Sequence, residues 1–480
     1  MVLIPDEDGP VPVIIPRSEH NLSRSFISEN ALKVLRRLHR SGYIGYLAGG
    51  GVRDILLGRE PKDFDIATSA TPEQIKSLFR NAILIGRRFR IAHIRFRNEI
   101  IEVATFRAVE TPGKDKSDTV PDNSETVPDT NETSGPIEKK FSGKKLPEGR
   151  IRSDDGLILR DNVWGSPPED AFRRDFTINA LYYNIADFSI IDYVGGMADL
   201  MNGRIRLIGD PEIRYREDPV RMIRAVRFAA KLGFNIDETT FNSLISMKEH
   251  ILKANSSRLY EELKKLWLSE EAEKGYQMMR SAGLFDILFP EVESWLCSEE
   301  APHTLDRHDL SEQRHPPLIK DPVSLQQDNY PHTFIGKAFQ WVEDEIRDGR
   351  TVSAPLLFAI LLGPPIFNKA AELQKAAGAK HPVIFKAVKE LLKNIQERVL
   401  IPKRDAEALK TILYGEQRFP QIKGKRPYIW IKNRYFNDAF RYFKMKREIY
   451  GEDKELIEWW EKFIISIKAD PGKQQSRFRS

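Results

Sequence analysis

Apolar and polar positions follow two different patterns along the chain, and the change lies near Asp210. Before it, short apolar runs of strand length mix with helical ones. The strand-like runs occur at Gly45 to Ala48, Phe64 to Ala67 and Asp187 to Tyr193. Ile91 to Phe96 and Ile100 to Phe106 flank the polar Arg97-Asn98-Glu99, which predicts a β-hairpin.

Beyond Asp210 the pattern is almost wholly helical. The best-marked helix has Asp218 as its N-cap and Pro219 in its first turn, continues from Val220 to Leu232, and ends at Gly233. We therefore predict a mixed α/β head followed by an all-α body.

Shifts in composition divide the chain further. Residues 111–149 are rich in Pro, Asp, Glu, Ser, Thr and Lys and contain a tandem heptapeptide, so we predict a disordered insertion there. The other predicted parts are an irregular N-terminal arm at 1–25, the head at 26–200, a helical neck at 201–301, a loop at 302–332, a helical basic body at 333–470 and a basic tail at 471–480.

Composition narrows the class of protein. Of the 480 residues 41% are hydrophobic and 30% charged, and the single cysteine allows no intramolecular disulfide. The N-terminus lacks the basic segment and apolar run of a signal peptide, and no segment approaches the roughly 20 apolar residues of a membrane span. We expect a cytoplasmic protein without a membrane partner.

Basic residues cluster in two segments although the net charge is only +5. Seven arginines lie between Arg80 and Arg107, and residues 401–450 hold 13 Lys and Arg against 5 Asp and Glu, an excess of eight. Such segments can neutralise RNA phosphates, although a solvated basic surface would have the same composition. The candidate RNA-contacting residues are Arg87, Arg88, Arg90, Lys403, Arg404, Lys425 and Arg426.

A glycine-rich turn follows the first predicted strand of the head. Gly49, Gly50 and Gly51 would let backbone N–H groups approach a phosphate chain before a helix begins, and Arg53 could donate to a triphosphate. A strand-to-helix connection without a ligand has the same pattern, so the turn alone is a weak signal.

Three carboxylates supply candidate chemistry. Asp63 and Asp65 would point the same way from a strand while Phe64 and Ile66 face the core, an arrangement that suits Mg²⁺. Glu102 lies in an otherwise apolar strand, where a buried carboxylate needs a cation or an arginine; Arg107 is the structural alternative. Asp63 and Asp65 as ligands of two Mg²⁺ ions, with Glu102 as the third catalytic carboxylate, would suit two-metal phosphoryl transfer.

The residues from Gly45 to Arg107 resemble the catalytic head of the class II tRNA nucleotidyltransferase and poly(A) polymerase family. Two later motifs agree, Arg173-Arg-Asp-Phe-Thr-Ile-Asn-Ala180 and Arg216-Glu-Asp-Pro-Val-Arg-Met-Ile-Arg-Ala225. The resemblance implies an α/β nucleotidyltransferase head with a mixed β-sheet and helices, and a neck that binds nucleotide or RNA. It also implies a set of nucleotide-binding residues. Arg174, Asp175 and Asn179 would lie near the sugar and phosphates, and Asp218 and Arg221 would face the base, with Arg224 continuing their stripe.

Within that family the chain is most similar to the bacterial poly(A) polymerase branch. The similarity rests on Leu84-Ile-Gly-Arg-Arg-Phe-Arg-Ile-Ala-His93, on Tyr193-Val-Gly-Gly-Met197 and on the basic C-terminal region. It implies template-independent transfer of AMP from ATP to RNA 3′ ends. CCA addition to tRNA and a non-catalytic RNA-binding relative are the alternatives, and protein partners stay open.

Overall fold

The computed structural model describes residues 11–86, 90–108, 150–152, 158–161, 163–297, 334–377 and 383–469. It divides into two compact units, Met1–Asp218 and Pro219–Ser480.

The first unit contains eleven of the described strands and six helices. Its strands are β1 (Val13–Ile15), β2 (Gly45–Ala48), β3 (Asp65–Thr68), β4 (Ala82–Ile85), β5 (Ile91–Arg95), β6 (Ile100–Thr105), β7 (Arg150–Arg152), β8 (Ile158–Asp161), β9 (Leu181–Asn184), β10 (Ile190–Asp192) and β11 (Arg204–Ile205). Its helices are α1 (Glu29–Arg40), α2 (Gly50–Leu56), α3 (Pro72–Leu78), α4 (Pro167–Arg173), α5 (Gly196–Met201) and α6 (Pro211–Glu217).

The second unit is helical except for the short strand β12 (Asn235–Ile236) within the residues described. Its helices are α7 (Val220–Leu232), α8 (Glu238–Met247), α9 (Ser256–Trp267), α10 (Ala272–Ser281), α11 (Leu284–Leu288), α12 (Pro290–Leu296), α13 (Phe334–Arg347), α14 (Ala354–Ala377), α15 (Ile384–Arg398), α16 (Lys403–Arg418), α17 (Arg426–Trp430), α18 (Phe436–Tyr450) and α19 (Lys454–Ala469).

The centre of the first unit is an eight-stranded sheet in the order β1-β10-β9-β2-β3-β6-β5-β4. The central strands β3 and β6 run parallel, whereas the other neighbouring pairs in this sheet are antiparallel. The predicted hairpin forms as β5 and β6, and the mixed α/β head followed by a helical body is confirmed.

One row of in-register residues crosses the whole sheet. Cross-strand partners share a face, so the side chains of this row point to the same side. From β1 to β4 the row is Ile14, Ile191, Tyr182, Ala48, Asp65, Glu102, His93 and Ile83. The row begins apolar and becomes polar at the β3–β6 pair.

Helix α4 packs on the middle of the apolar half of that face. Tyr182 and Phe106 are fully buried there and pack with Ala171 of α4, while Tyr46 lies against both rings. This packing anchors the strands on either side of Asp65. It therefore fixes where the polar half of the row begins.

The N-terminal arm is not wholly irregular. Val13–Ile15 form β1, which pairs antiparallel with β10 and completes one edge of the sheet. The run is only three residues long and its Val13 and Ile14 are exposed, so it lacks the alternation that marks a half-buried strand. The expectation of an irregular 1–25 segment is wrong for these residues.

Asp218 is not the N-cap of the best-marked helix. It has extended backbone angles, and its N–H bonds to the carbonyl of Arg214, so it ends α6. Pro219 occupies the N-cap position of α7, and Gly233 in a left-handed conformation ends that helix as predicted. The boundary lies one residue later than predicted because Asp218 is taken up by the end of α6.

Helix α14 corrects the expectation about apolar segments. Ala354–Ala376 is long and apolar enough to span a membrane by length and composition. Two thirds of its most apolar stretch (67%) is nevertheless buried inside the second unit, and Leu356 through Leu362 are fully covered. This is the pattern of a core helix.

Several predicted features lie outside the described residues. These are the 111–149 insertion, the 302–332 loop, the 471–480 tail, and Arg87 with Arg88.

The close approach of α18 to α14 at Gly363 gives a stability prediction. A Cβ at Gly363 would collide with the hydroxyl of Tyr442, a buried group that has no hydrogen-bond partner among the described residues. We expect Gly363→Ala to lower the free energy of unfolding by about 1–3 kcal/mol, because the overlap outweighs the better helix propensity of alanine. Chemical denaturation measures this change.

Tyr442→Phe is the matched partner for that measurement. It removes the unpartnered hydroxyl, so we expect little loss by itself and a smaller penalty for Gly363→Ala in its presence. An equal penalty in both backgrounds would contradict the contact.

Candidate functional site

The glycine turn lies directly beside the acidic part of the sheet. Gly49 has φ of +71° between β2 and α2, a conformation that residues with a Cβ rarely adopt. A Cβ at Gly49 would lie 3.2 Å from Arg174 Nη1 and 3.8 Å from Asp65 Oδ2. At Gly51 it would lie 3.4 Å from the carbonyl oxygen of Asp63. The turn therefore leaves open the space between a guanidinium and a carboxylate.

Asp63 contributes to the electrostatic environment of Asp65, but the two residues do not share one strand as the spacing argument assumed. Asp65 is the first residue of β3, and Asp63 precedes the strand and is exposed. Phe64 and Ile66 are both buried, in agreement with the expected alternation.

The surroundings of Asp65 disfavour the ionised form of its side chain. Its pKa is raised to about 6, first by burial and then by the charge of Glu102, with a further contribution from Asp63 and an opposing one from Arg174. Two of these neighbours are the other predicted catalytic carboxylates. The cluster carries more negative charge than the described side chains around it neutralise, which favours a bound cation.

Glu102 differs from the sequence-based expectation. Its side chain is 47% exposed rather than buried, and it pairs with His93 at 3.0 Å between Oε1 and Nε2. Arg107 lies elsewhere, with its backbone N–H bonded to Asp170. The buried residues of this strand, Ile101 and Val103, lie on its other face, whereas Glu102 reaches solvent and needs no buried arginine.

Arg174 is held by two residues that sequence reasoning missed. Its Nε lies 3.2 Å from Asp170 Oδ2 and 3.0 Å from the hydroxyl of Tyr182, and its guanidinium lies over the Tyr182 ring. Burial raises the pKa of Tyr182, so the hydroxyl keeps its proton and donates to Asp170 Oδ2 at 2.7 Å. The one available signal was the spacing of four residues between Asp170 and Arg174 on a helix.

Asn179 connects the glycine-turn helix to the Arg173–Ala180 motif. Its side-chain oxygen accepts from Arg53 Nη1 at 2.7 Å, and its amide donates to Asp175 at 3.2 Å. Arg53 is only 3% exposed and also donates twice to Asp54. This geometry does not support direct contact of Arg53 with a triphosphate; it makes Arg53 a support for Asn179.

The Tyr193–Met197 segment packs against the Arg173–Ala180 motif. The carboxylate of Asp192 accepts backbone N–H bonds from Val194, Gly195, Gly196 and Met197. A Cβ at Gly196 would overlap the carbonyl of Thr177. In the sequence this segment served only to support the family resemblance. In the structure its glycines let α5 approach the turn that carries Asn179.

The predicted base-facing residues fall in both units. Asp218 is the last residue of the first unit, and Arg221 and Arg224 are on α7 in the second. Arg221 is 8% exposed. Burial alone would raise the pKa of Glu262 on α9, but Arg224 and Arg227, which bond to it at 3.2 and 2.8 Å, lower it. Arg224 therefore has a structural partner in addition to its proposed role.

The described basic candidates are on the surface. Arg90 pairs with Glu73 at 2.9 Å, and both side chains are more than half exposed. Lys403 and Arg404 begin α16, while Lys425 and Arg426 precede and begin α17, and the four residues are exposed.

The carboxylate cluster fits a divalent cation that also takes ligands from substrate. Within the described ranges, no three His, Cys, Asp or Glu side chains come together in a complete metal-binding group. Mg²⁺ commonly binds through one or two carboxylates plus phosphate oxygens and water. The raised pKa of Asp65, with Asp63 beside it, is the expected signature of such a partial site.

Comparison with known proteins gives three matching family profiles. Residues 45–206 match "Poly A polymerase head domain", residues 233–296 match "Probable RNA and SrmB- binding site of polymerase A", and residues 377–477 match "Polymerase A arginine-rich C-terminus".

Two relatives differ in how far they match. Poly(A) polymerase I of Salmonella typhimurium is 38% identical over 460 residues, 95% of this chain and 87% of its own length. A CCA-adding enzyme of Leuconostoc mesenteroides is 32% identical over 275 residues, 57% of this chain and 58% of its own. The solved structure of a CCA-adding enzyme in apo form II shares the fold with a TM-score of 0.54 at 17% identity, over 95% of this chain and 88% of that one.

The raised pKa of Asp65 makes a prediction about stability. The folded-state pKa of about 6 lies above the ordinary 3.8, so folding loses stability as pH rises through this interval and Asp65 ionises. In EDTA at pH 7.5, Asp65→Asn should therefore raise the free energy of unfolding by about 1–3 kcal/mol. The gain should shrink toward pH 4.5.

Asp63→Asn is the control for that prediction because Asp63 is exposed. We expect it to change stability less than Asp65→Asn at pH 7.5. A loss of stability for Asp65→Asn under these conditions would contradict the repulsion described here.

Proposed function

The chain belongs to the poly(A) polymerase family, and we propose that Asp63, Asp65 and Glu102 carry its transfer of AMP from ATP to RNA 3′ ends. The observation that carries this function is the 38% identity to poly(A) polymerase I over 95% of the chain. The likeness to the CCA-adding enzyme covers 57% of the chain. CCA addition is the second candidate because both activities use this head.

The reaction joins the RNA 3′ oxygen to the α-phosphorus of ATP. The bond from that phosphorus to the β-phosphate bridging oxygen breaks, and pyrophosphate leaves with the electron pair. The 3′-hydroxyl gives up its proton as the new bond forms. No covalent intermediate with the chain is needed, because positioning and charge stabilisation supply most of the catalysis.

Divalent metal ions are general in nucleotidyltransferases, and we propose two Mg²⁺ held by Asp63 and Asp65. When bound, the ions supply charge neutralisation on the phosphates and a lower pKa for the 3′-hydroxyl. The residues support this through the charge imbalance at Asp65. Glu102 adds a third negative group in register with Asp65.

The incoming nucleotide would use the space that Gly49 leaves beside Arg174. Gly49, Gly50 and Gly51 would bring backbone N–H groups to the triphosphate, and Arg174 would donate to its oxygens. Asp175 and Asn179 would face the sugar, with Arg53 holding Asn179 in place. Asp218 and Arg221 would face the base, and Arg224, bonded to Glu262, would support that face.

RNA would contact the basic surface. The proposed contacts are Arg87, Arg88, Arg90, Lys403, Arg404, Lys425 and Arg426. We assign catalysis to the head at 26–200, nucleotide and RNA contacts to the neck at 201–301, and RNA binding to the body at 333–470. The setting we propose is the cytoplasm.

Nucleotide use separates the two candidate activities. Purified protein with Mg²⁺ would be given a generic RNA and a tRNA lacking its 3′ end, each with ATP alone, CTP alone or both. We expect long adenosine tails on both RNAs from ATP alone. Addition that stops after three nucleotides on tRNA and requires CTP would make CCA addition the activity.

Removal of one carboxylate tests the proposed centre. Asp63→Ala should lower primer extension by at least about a thousandfold while leaving the melting temperature and RNA affinity nearly unchanged, because Asp63 is exposed and supports no core. Glu60→Ala, an exposed carboxylate three residues away, should retain activity. Ordinary activity of Asp63→Ala at millimolar Mg²⁺ would eliminate it as a ligand.

The network around Arg174 predicts an effect on ATP use. Asp170→Asn removes the countercharge that orients Arg174 and should raise KM for ATP by about tenfold or more. Glu169→Gln on the same helix should have little effect, since its amide can still cap Ser166. An unchanged KM in Asp170→Asn would show that Arg174 is held well enough without it.

A further inference from the structure

His93 occupies a defined place in the acidic row of the sheet. Antiparallel pairing of β5 with β6 sets His93 opposite Glu102, and parallel pairing of β3 with β6 sets Asp65 on the other side of Glu102. The three side chains therefore share one face of three adjacent strands. Glu102 lies between a group of like charge and a hydrogen-bonding imidazole.

The contact between His93 and Glu102 has a definite direction. Nε2 of the imidazole lies 3.0 Å from Oε1 of Glu102. A carboxylate oxygen only accepts hydrogen bonds, so Nε2 carries the hydrogen and donates it. The His93 side chain is 19% exposed and the Glu102 side chain 47%, so the imidazole is the better anchored of the two.

Glu102 needs such an anchor in order to stay beside Asp65. The two carboxylates are register partners on adjacent parallel strands, and like charges that face each other across a strand pair repel. A half-exposed glutamate has several rotamers and can turn away from a like charge into water. The hydrogen bond from His93 selects the rotamers in which Glu102 stays on this face of the sheet and does not turn into water.

We infer that His93 is a positioning residue that holds the Glu102 carboxylate in its catalytic place beside Asp65. This inference rests on the proposed function in one respect, the role of Glu102 in adenylyl transfer. His93 itself touches neither ATP nor RNA in this assignment. It acts through Glu102 alone.

A structural role for the pair would give a different result. A half-exposed ion pair or hydrogen bond contributes little to stability. Loss of His93 should therefore leave the protein folded and appear in turnover. The expected change is in kcat and not in KM for ATP, because Glu102 lies in register with Asp65 among the proposed catalytic carboxylates.

The first experiment compares two histidines of the same unit. His93→Ala should lower kcat for single-nucleotide addition by about 10–100-fold with KM for ATP nearly unchanged. His93→Gln, whose side-chain amide can replace Nε2 as donor, should restore most of the rate. His20→Ala is the matched control, because His20 Nε2 also makes one 3.0 Å contact, to the backbone oxygen of Phe188.

The second experiment is a double-mutant cycle with Glu102→Gln. If His93 acts only through Glu102, adding His93→Ala to Glu102→Gln should lower kcat no further. Melting temperatures of the four proteins, measured alongside, should differ little from the wild type.

The outcomes separate the inference from the function beneath it. If Glu102→Gln is impaired but His93→Ala keeps the wild-type kcat, the role of His93 is wrong and the role of Glu102 stands. The same conclusion follows if the two losses of kcat multiply in the double variant. Wild-type activity in Glu102→Gln would overturn the role of Glu102 and the inference with it. If kcat falls in His93→Ala, is not restored by His93→Gln and falls equally in His20→Ala, the effect is structural. That result would also overturn the inference about His93.

Discussion

The parallel register of β3 and β6 is the constraint on which the head depends. It sets Asp65 and Glu102 side by side on neighbouring strands, where their charges repel. Backbone hydrogen bonds and the buried residues of the opposite face, such as Ile66 and Val103, hold the strands in this register. The sheet therefore stores an unfavourable pair of charges that a cation with substrate phosphates can relieve.

Arg174, Asn179 and Glu102 are each held in place by hydrogen bonds from neighbouring side chains. Tyr182 and Asp170 hold Arg174, Arg53 holds Asn179, and His93 bonds Glu102. None of these contacts lies on the same strand as the group it supports. The geometry is thus set by the packing of sheet, α2 and α4 together, so that it exists before a substrate arrives.

The sequence predicted the division into head and body and the β5–β6 hairpin, because these follow from local periods. It did not predict β1, a run of three residues without alternation. Nor did it predict the partner of Glu102, since His93 meets it through strand register and not through sequence distance. The partner of Arg53 was not predicted for the same reason, because Asn179 lies 126 residues away. Contacts of this kind depend on topology, which local patterns do not encode.

The edge strand β1 has a consequence for how the head tolerates shortening. Its residues 13–15 cover the outer backbone edge of β10, the strand whose Asp192 closes the glycine segment behind Asn179. A protein trimmed to residue 26, as an irregular arm would invite, would leave β10 as an uncovered edge. Open edges recruit strands from other molecules. Self-association and a loosened turn at Asn179 would then share a single origin, far in sequence from Asp63, Asp65 and Glu102.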